Sequence, residues 1–168
     1  MPTSPTDIQN TTPDDTASES TPLEASPEAS NSLSPIQRQM LPITAEVGLG
    51  GQTIGLEVAQ SRQEQTIGLM NRAMLADDRG MLFPFSPPET VNFWMKNVLI
   101  PLDMVFVYQG EVVAIAPDVP PCIADPCPTY GPEEQLVDYV IELRGGRAED
   151  LGVQIGDPVA IQWLETSQ

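Results

Sequence analysis

Short runs in which apolar and polar residues alternate fill most of the chain beyond residue 40. Alternation with a period of two is typical of β-strands, and Gly, Pro, Asn or Asp residues bound most of these runs. The first two runs flank Gly48-Leu49-Gly50-Gly51, which predicts a hairpin. The strands predicted in this way cover residues 43–47, 53–59, 81–85, 91–97, 102–108, 111–116, 136–143 and 159–164.

One segment follows a helical pattern instead. Ser61 and Glu64 have the spacing of a capping box, and Ile67, Met70 and Met74 follow at helical spacing. These residues predict a helix, and residues 147–151 predict one further helical turn. Many short strands with one or two short helices predict a mainly β single domain, compact and either barrel-like or sandwich-like.

Composition divides the chain into two unequal parts. Residues 1–40 are rich in Ser, Thr and Pro and hold no aromatic residue. They contain several acidic side chains and one basic residue, Arg38. Such a segment buries too little apolar surface to offset the entropy lost on ordering. We therefore predict that residues 1–40 form a disordered acidic tail or tether and that residues 41–168 form one β-rich domain.

The net charge of −17 limits the partners that the chain can bind. Phosphate backbones and anionic lipid surfaces would repel it, so we expect no nucleic-acid partner. No run is long enough to span a membrane, and the chain start lacks the features of a secretion signal. A Ser/Thr/Pro-rich tail nevertheless suits a periplasmic or secreted protein whose signal segment was removed. We expect an extracytoplasmic monomer, with a cytoplasmic location as the alternative.

The complete absence of histidine excludes several kinds of site. Ser-His-Asp and Cys-His catalysis and His-ligated zinc or haem all require it, so catalysis would rest on carboxylates, Lys96, arginines or thiols. We expect neither a cofactor nor a metal. Cys122 and Cys127 lie in a proline-rich loop, where a disulfide is the simplest interpretation. Free thiols, or a metal held with neighbouring aspartates, remain alternatives.

Lys96 is the sole lysine, and it lies in the densest apolar run of the chain. If residues 91–97 form a strand, Trp94 and Lys96 point to one face and Phe93 and Met95 to the other. An indole beside an ammonium group is a suitable platform for a sugar ring, a carboxylate or a peptide. The alternative is that Trp94 packs under a loop while Lys96 extends to water.

Two acidic residues are predicted on apolar strand faces and therefore require partners. Asp103 shares a face with valines, and Lys96 or Arg72 could pair with it. Glu142 lies in a second apolar run, where it shares a face with Asp138.

Arg144 or Arg147 could pair with those two acids. Structural ion pairs are one interpretation of this pattern. The other is a polar cluster of Lys96, Asp103 and Glu142 in a cleft, capable of acid/base chemistry.

Five motifs in a fixed order carry a resemblance to a known family. They are GLMNR at residues 68–72, GMLFPF at 80–85, FWMKNVLIPLD at 93–103, VIELRGG at 140–146 and LGVQIGD at 151–157. Over about residues 43–164 the chain resembles the family called domain of unknown function 192. The resemblance implies a small, β-rich, barrel-like domain, often found behind a signal or lipoprotein sequence in bacteria and archaea, with no established activity.

Six residues match the motifs and are our ligand-binding candidates: Arg72, Trp94, Lys96, Asn97, Asp103 and Glu142. Two functions are compatible with them. The first is an extracytoplasmic binding or accessory module that recognises a glycan, a cell-wall fragment or a partner protein. The second is a histidine-free hydrolase or lyase that depends on carboxylates.

Overall fold

The computed structural model describes residues 37–165. Most of the acidic tail predicted for residues 1–40, namely residues 1–36, lies outside the described residues. Residues 37–40 form no regular secondary structure, but they contact the domain. The side-chain amide of Asn71 donates to the carbonyl of Gln37 at 2.7 Å, and that of Gln39 donates to the carbonyl of Glu64 at 2.8 Å.

The described residues form a mainly β domain with two short helices, as predicted. Its elements are β1 (Ile43–Leu49), β2 (Gln52–Val58), α1 (Arg62–Ile67), β3 (Arg79–Glu89), β4 (Phe93–Trp94), β5 (Leu102–Tyr108), β6 (Glu111–Val119), β7 (Thr129–Tyr130), β8 (Val137–Arg144), α2 (Arg147–Asp150) and β9 (Ile161–Trp163). Seven strands form one sheet in the order β6-β5-β8-β3-β2-β1-β9, and β4 pairs with β7. The segment that contains α1 connects β2 to β3, and a crossover of this length allows the two strands to pair in parallel.

The large sheet is buried on both faces. In β5, Leu102, Met104 and Phe106 belong to one apolar cluster, whereas Val105 and Val107 belong to the other. The first cluster includes residues from the segment after α1 and from around β4. The second includes residues of β1, β2, β6 and α2. A central strand with both faces covered explains why β5 reads as an almost continuous apolar run.

The C-terminal segment links the two ends of the large sheet. The amide of Val112 in β6 donates to the carbonyl of Asp157 at 3.0 Å, and the amide of Val159 donates to the carbonyl of Gly110 at 2.8 Å. Strand β9 follows and pairs with β1. Within residues 37–165 no ladder joins β6 to β9, so the sheet is not closed into a barrel. The sandwich-like alternative fits the structure.

The predicted hairpin is present, and its turn consists of Gly50 and Gly51. Both glycines have positive φ, at 55° and 76°, as a two-residue turn between twisted strands requires. The helix prediction was too long. Gly68 ends α1 with φ +46°, so Met70 and Met74 lie beyond the helix, and Met74 is 74% exposed.

The strand predicted over residues 91–97 is also shorter than expected. Only Phe93 and Trp94 pair, with Tyr130 and Thr129 of β7, which the sequence pattern did not predict. Lys96 and Asn97 lie in a tight turn after β4. Neither helix in the described part of the chain is long and apolar enough to span a membrane.

Candidate functional site

A cavity of about 340 Å³ lies between α1, with the residues that follow it, and strands β3 and β4. The wall contributed by β3 and β4 is aromatic and includes Phe83, Phe85, Phe93 and Trp94. Phe93 packs edge-on against Phe83, with ring centroids 5.0 Å apart, and against Phe85 at 6.4 Å. These contacts fix the ring positions, and they give the cavity a rigid apolar side.

Trp94 differs from these phenylalanines because 47% of its surface is exposed. Alternation along the two-residue strand β4 turns Phe93 inward and Trp94 outward, which gives the cavity an exposed aromatic rim. The nitrogen of Lys96 lies 5.5 Å from the centroid of the Trp94 ring, so the two side chains share one surface. The sequence predicted this proximity, although no strand extends to Lys96.

In the part of the chain that the structure describes, Glu142 is the one carboxyl group that lines the cavity. It lies in β8 opposite Met81 of β3 and Met104 of β5, and its residue is only 5% exposed. No group within residues 37–165 donates a hydrogen bond to it. Burial raises the pKa of Glu142 to about 8, because desolvation disfavours the charged form. The carboxyl therefore holds a proton at neutral pH.

The arginines expected to pair with Glu142 bind elsewhere, so that prediction was wrong. Arg144 forms an ion pair with Asp77, and Arg147 donates from Nε to the carbonyl of Asp77 at 2.9 Å. The same prediction failed for Asp138, which accepts from the backbone of the turn after β5 instead. Arg144 ends β8 and Arg147 begins α2, where Asp77 and Asp150 are the nearby acceptors.

Asp103 does not belong to the cavity, and its predicted pairing with Lys96 or Arg72 was wrong. Its Oδ1 accepts from the amides of Asp118 at 2.7 Å and Gly146 at 2.9 Å, and its Oδ2 accepts from Ala148 at 2.6 Å. Three backbone donors satisfy the carboxylate without a cation. Through Asp103, these hydrogen bonds connect β5 to the first turn of α2 and to the end of β6.

The predicted cluster of Lys96, Asp103 and Glu142 is not assembled. In the pairing of β5 with β8, Asp103 lies opposite Leu143, and Met104 lies opposite Glu142. Successive residues of a strand point to opposite faces, so the two carboxyl groups lie on different sides of the sheet. Lys96 pairs with Asp125 instead, at 3.4 Å, and 41% of the lysine side chain is exposed.

Arg72 forms a buried ion pair that the sequence analysis missed. It donates to both oxygens of Glu57, at 2.7 and 2.5 Å, and its Nε donates to the carbonyl of Gln39 at 3.0 Å. Glu57 also accepts from the amide of Leu41 at 2.7 Å. An acid within the apolar run of β2 was the available signal. This network fastens residues 39–41 to the sheet and leaves Arg72 away from the cavity.

Asn97 also has a local structural contact. Its φ is +59°, in the left-handed region, and its carbonyl accepts from the amide of Asn71 at 2.8 Å. Asn71 has the same φ, so two tight turns contact each other here. Of the six candidates, Trp94 and Glu142 line the cavity, and Lys96 lies beside it over the indole ring.

Cys122 and Cys127 form a disulfide bond, the favoured of the three alternatives. The bond closes the loop between β6 and β7, which carries Asp125, the partner of Lys96. A smaller cavity of about 250 Å³ lies beneath this loop, and prolines with Tyr130 form much of its wall.

Comparison with known proteins identifies the fold. The family described as uncharacterized ACR, the domain of unknown function 192, matches residues 44–161. A crystal structure of a protein of unknown function from Novosphingobium aromaticivorans DSM 12444 is 35% identical, with a TM-score of 0.60. That alignment covers 70% of this chain and 83% of the other.

A second crystal structure is of a protein from Sinorhizobium meliloti 1021 described as a candidate transcription regulator. It is 33% identical with a TM-score of 0.64, over 73% of this chain and 97% of the other. Among curated proteins none matches. The family match covers well over half of the chain, and both structures share its fold. The chain therefore belongs to the family called domain of unknown function 192.

Proposed function

We propose that this domain is an extracytoplasmic binding module, and that the cavity beside Trp94 takes a small ring-bearing ligand such as a glycan or cell-wall fragment. The observation that carries the proposal is the cavity itself, with its fixed aromatic wall and the exposed indole at its rim. Its volume of about 340 Å³ is within the range of ligand pockets. Beside the aromatic wall, five polar side chains line it and could orient a ligand: Arg62, Gln65, Thr66, Asn92 and Glu142.

The position of Trp94 supports a ring-shaped ligand. A large aromatic side chain that is 47% exposed leaves apolar surface in water, and a flat ligand face would cover it. Lys96 lies over the same ring and adds a hydrogen-bond donor at the rim. A sugar ring combines an apolar face with hydroxyl acceptors at its edge, so it suits both groups.

An enzyme is the second candidate, and Glu142 is the observation that favours it. A carboxyl that holds its proton at neutral pH can act as a general acid. Hydrolysis of a glycosidic bond usually requires a second carboxyl group across that bond. Asp103, the predicted second acid, is on the opposite side of the sheet and is satisfied by backbone amides. Binding without turnover is therefore the better-supported proposal.

Two features support the proposed location and partners. Disulfide bonds persist in oxidising compartments, so the Cys122–Cys127 bond favours the periplasm or the exterior. The description of the Sinorhizobium meliloti protein does not extend to this chain, because a net charge of −17 opposes nucleic-acid binding.

A thermal-unfolding assay with a panel of glycans and cell-wall fragments tests the proposal. A ligand that binds the folded state raises the melting temperature of the unaltered protein. The increase should disappear in Trp94→Ala and persist in Trp163→Ala, a matched control whose indole is 50% exposed on β9. Equal increases in all three proteins would contradict binding at the cavity, and so would an absence of any increase.

The enzymatic alternative requires a separate measurement on the same panel. Product formation should depend on the acid, so it should vanish in Glu142→Gln while the circular dichroism spectrum stays unchanged. Ligand binding without product formation would support the binding module alone.

A further inference from the structure

We infer that the ligand carries a protonated amine, which the Glu142 carboxylate binds as an ion pair while the aromatic wall holds the rest of the ligand. This inference rests on the proposed function, because it concerns the same cavity. It adds the chemical class of the group that the site recognises.

Among the described residues Glu142 has no hydrogen-bond or ion-pair partner, whereas the other two buried carboxylates, Glu57 and Asp103, have partners. Asp103 accepts three backbone hydrogen bonds, and Glu57 pairs with Arg72 through both of its oxygens. Glu142 is equally buried and receives no hydrogen bond within residues 37–165. A buried acid without a partner is costly and rare. Since Glu142 lines a cavity large enough for a ligand, a ligand group can supply the missing partner.

The surroundings of the Glu142 carboxyl favour a cation over an anion. The charged or titratable side chains that line the cavity are Glu142 on β8 and Arg62 on α1, and β3 and β4 contribute none. Arg62 is exposed, and it forms no ion pair with Glu142. Aromatic ring faces attract cations, and four aromatic side chains line one wall. The net charge of −17 raises the local concentration of cations further.

Binding of an ammonium group has a proton balance that can be measured. The free protein holds a proton on Glu142 at neutral pH, because burial raises its pKa to about 8. When the cation binds, the carboxyl loses this proton to solvent, and the carboxylate accepts hydrogen bonds from the ammonium group. The affinity for a protonated amine should therefore rise about tenfold for each unit that pH increases towards 8, and should level off above pH 8. A neutral acceptor that binds the protonated carboxyl would instead lose affinity above pH 8.

Isothermal titration calorimetry on the full chain tests this inference with matched probe pairs. The pairs are benzylamine with benzyl alcohol, and cyclohexylmethylamine with cyclohexylmethanol, so that each amine stays protonated from pH 6 to 8 and has a neutral counterpart of similar shape. Titrations at pH 6, 7 and 8, in two buffers of different ionisation enthalpy, report the affinity and the number of protons released. Glu142→Gln removes the charge, and Glu149→Gln removes an exposed acid on α2 as the control.

We expect the amines to bind at least about tenfold more tightly than their neutral counterparts at pH 8, with release of close to one proton at pH 7. Glu142→Gln should abolish the preference and the proton release, and Glu149→Gln should keep both. If Glu142→Gln does not fold, the pH dependence of the unaltered protein still decides.

Neutral probes that bind as tightly as the amines would overturn the inference and leave cavity binding intact. If neither member of a pair binds, the inference is also overturned, and the melting-temperature assay with Trp94→Ala decides the proposed function separately.

Discussion

Replacement of Glu142 by glutamine should stabilise the domain at alkaline pH and leave it almost unchanged at pH 5. The ordinary pKa of this acid is 4.5, and burial raises it to about 8 in the folded protein. Between these values the unfolded chain releases the proton while the folded protein retains it. Because the folded state then binds more protons, stability falls as pH rises through this window, and the loss is complete above pH 8.

The magnitude follows from the width of that window. A shift of one pKa unit corresponds to about 1.4 kcal/mol, so the rise from 4.5 to about 8 corresponds to a loss on the order of 5 kcal/mol. A single domain has a total stability of roughly 5–15 kcal/mol, so this one carboxyl accounts for a large fraction. Glutamine has almost the same shape but does not ionise, so the variant avoids the loss.

Urea unfolding at pH 5, 6.5 and 8.5, followed by tryptophan fluorescence, measures the effect. Other carboxylates titrate in both proteins, so the difference between the two stabilities isolates Glu142. We expect a difference within about 1 kcal/mol at pH 5 and a gain of several kcal/mol for Glu142→Gln at pH 8.5. A difference that stays constant across this range would refute the reasoning. Equal m-values are required for the comparison.

Three further predictions concern the other charged candidates, each measured by urea unfolding at pH 7. Asp103→Asn should lose roughly 2–4 kcal/mol, because its amide would face a backbone donor that the carboxylate now satisfies; a neutral effect would contradict that role. Arg72→Met should cost about 3–5 kcal/mol by leaving Glu57 buried and unpaired, and adding Glu57→Leu should recover part of the loss; strict additivity would argue against the pair. Lys96→Met should change stability by less than about 1 kcal/mol, because its pair is exposed; a larger loss would show a stronger partner.

The sequence predicted most of the sheet, because period-two patterns report burial directly. It failed where a single backbone position overrides the pattern. Met70 and Met74 continue the helical spacing of α1, yet Gly68 adopts a positive φ and ends the helix. The strand after residue 90 failed for a similar reason, because the turn at Asn97 interrupts the apolar run soon after Trp94.

The site was predicted only in part, because pairing between distant segments is not encoded in local spacing. Trp94 and Lys96 do lie together, as predicted, but through a turn and not through strand alternation, and local spacing could not show that backbone amides would satisfy Asp103. The sequence showed Glu142 as an acid in an apolar strand. It did not show that both expected arginines would pair elsewhere and leave this acid beside a cavity.

The C-terminal segment that links the two ends of the sheet also has a consequence for self-association. Exposed strand edges can template intermolecular pairing, and the edge of β6 is covered in part by Asp157 and Val159. The other end of the sheet is β9, which has only three residues. A chain cut before Gly156 would expose β1 and β6 together, two edges of seven and nine residues. Such a truncated domain should aggregate through its edges, even though one apolar cluster would lose only Val159 and Ile161 and the other no side chain.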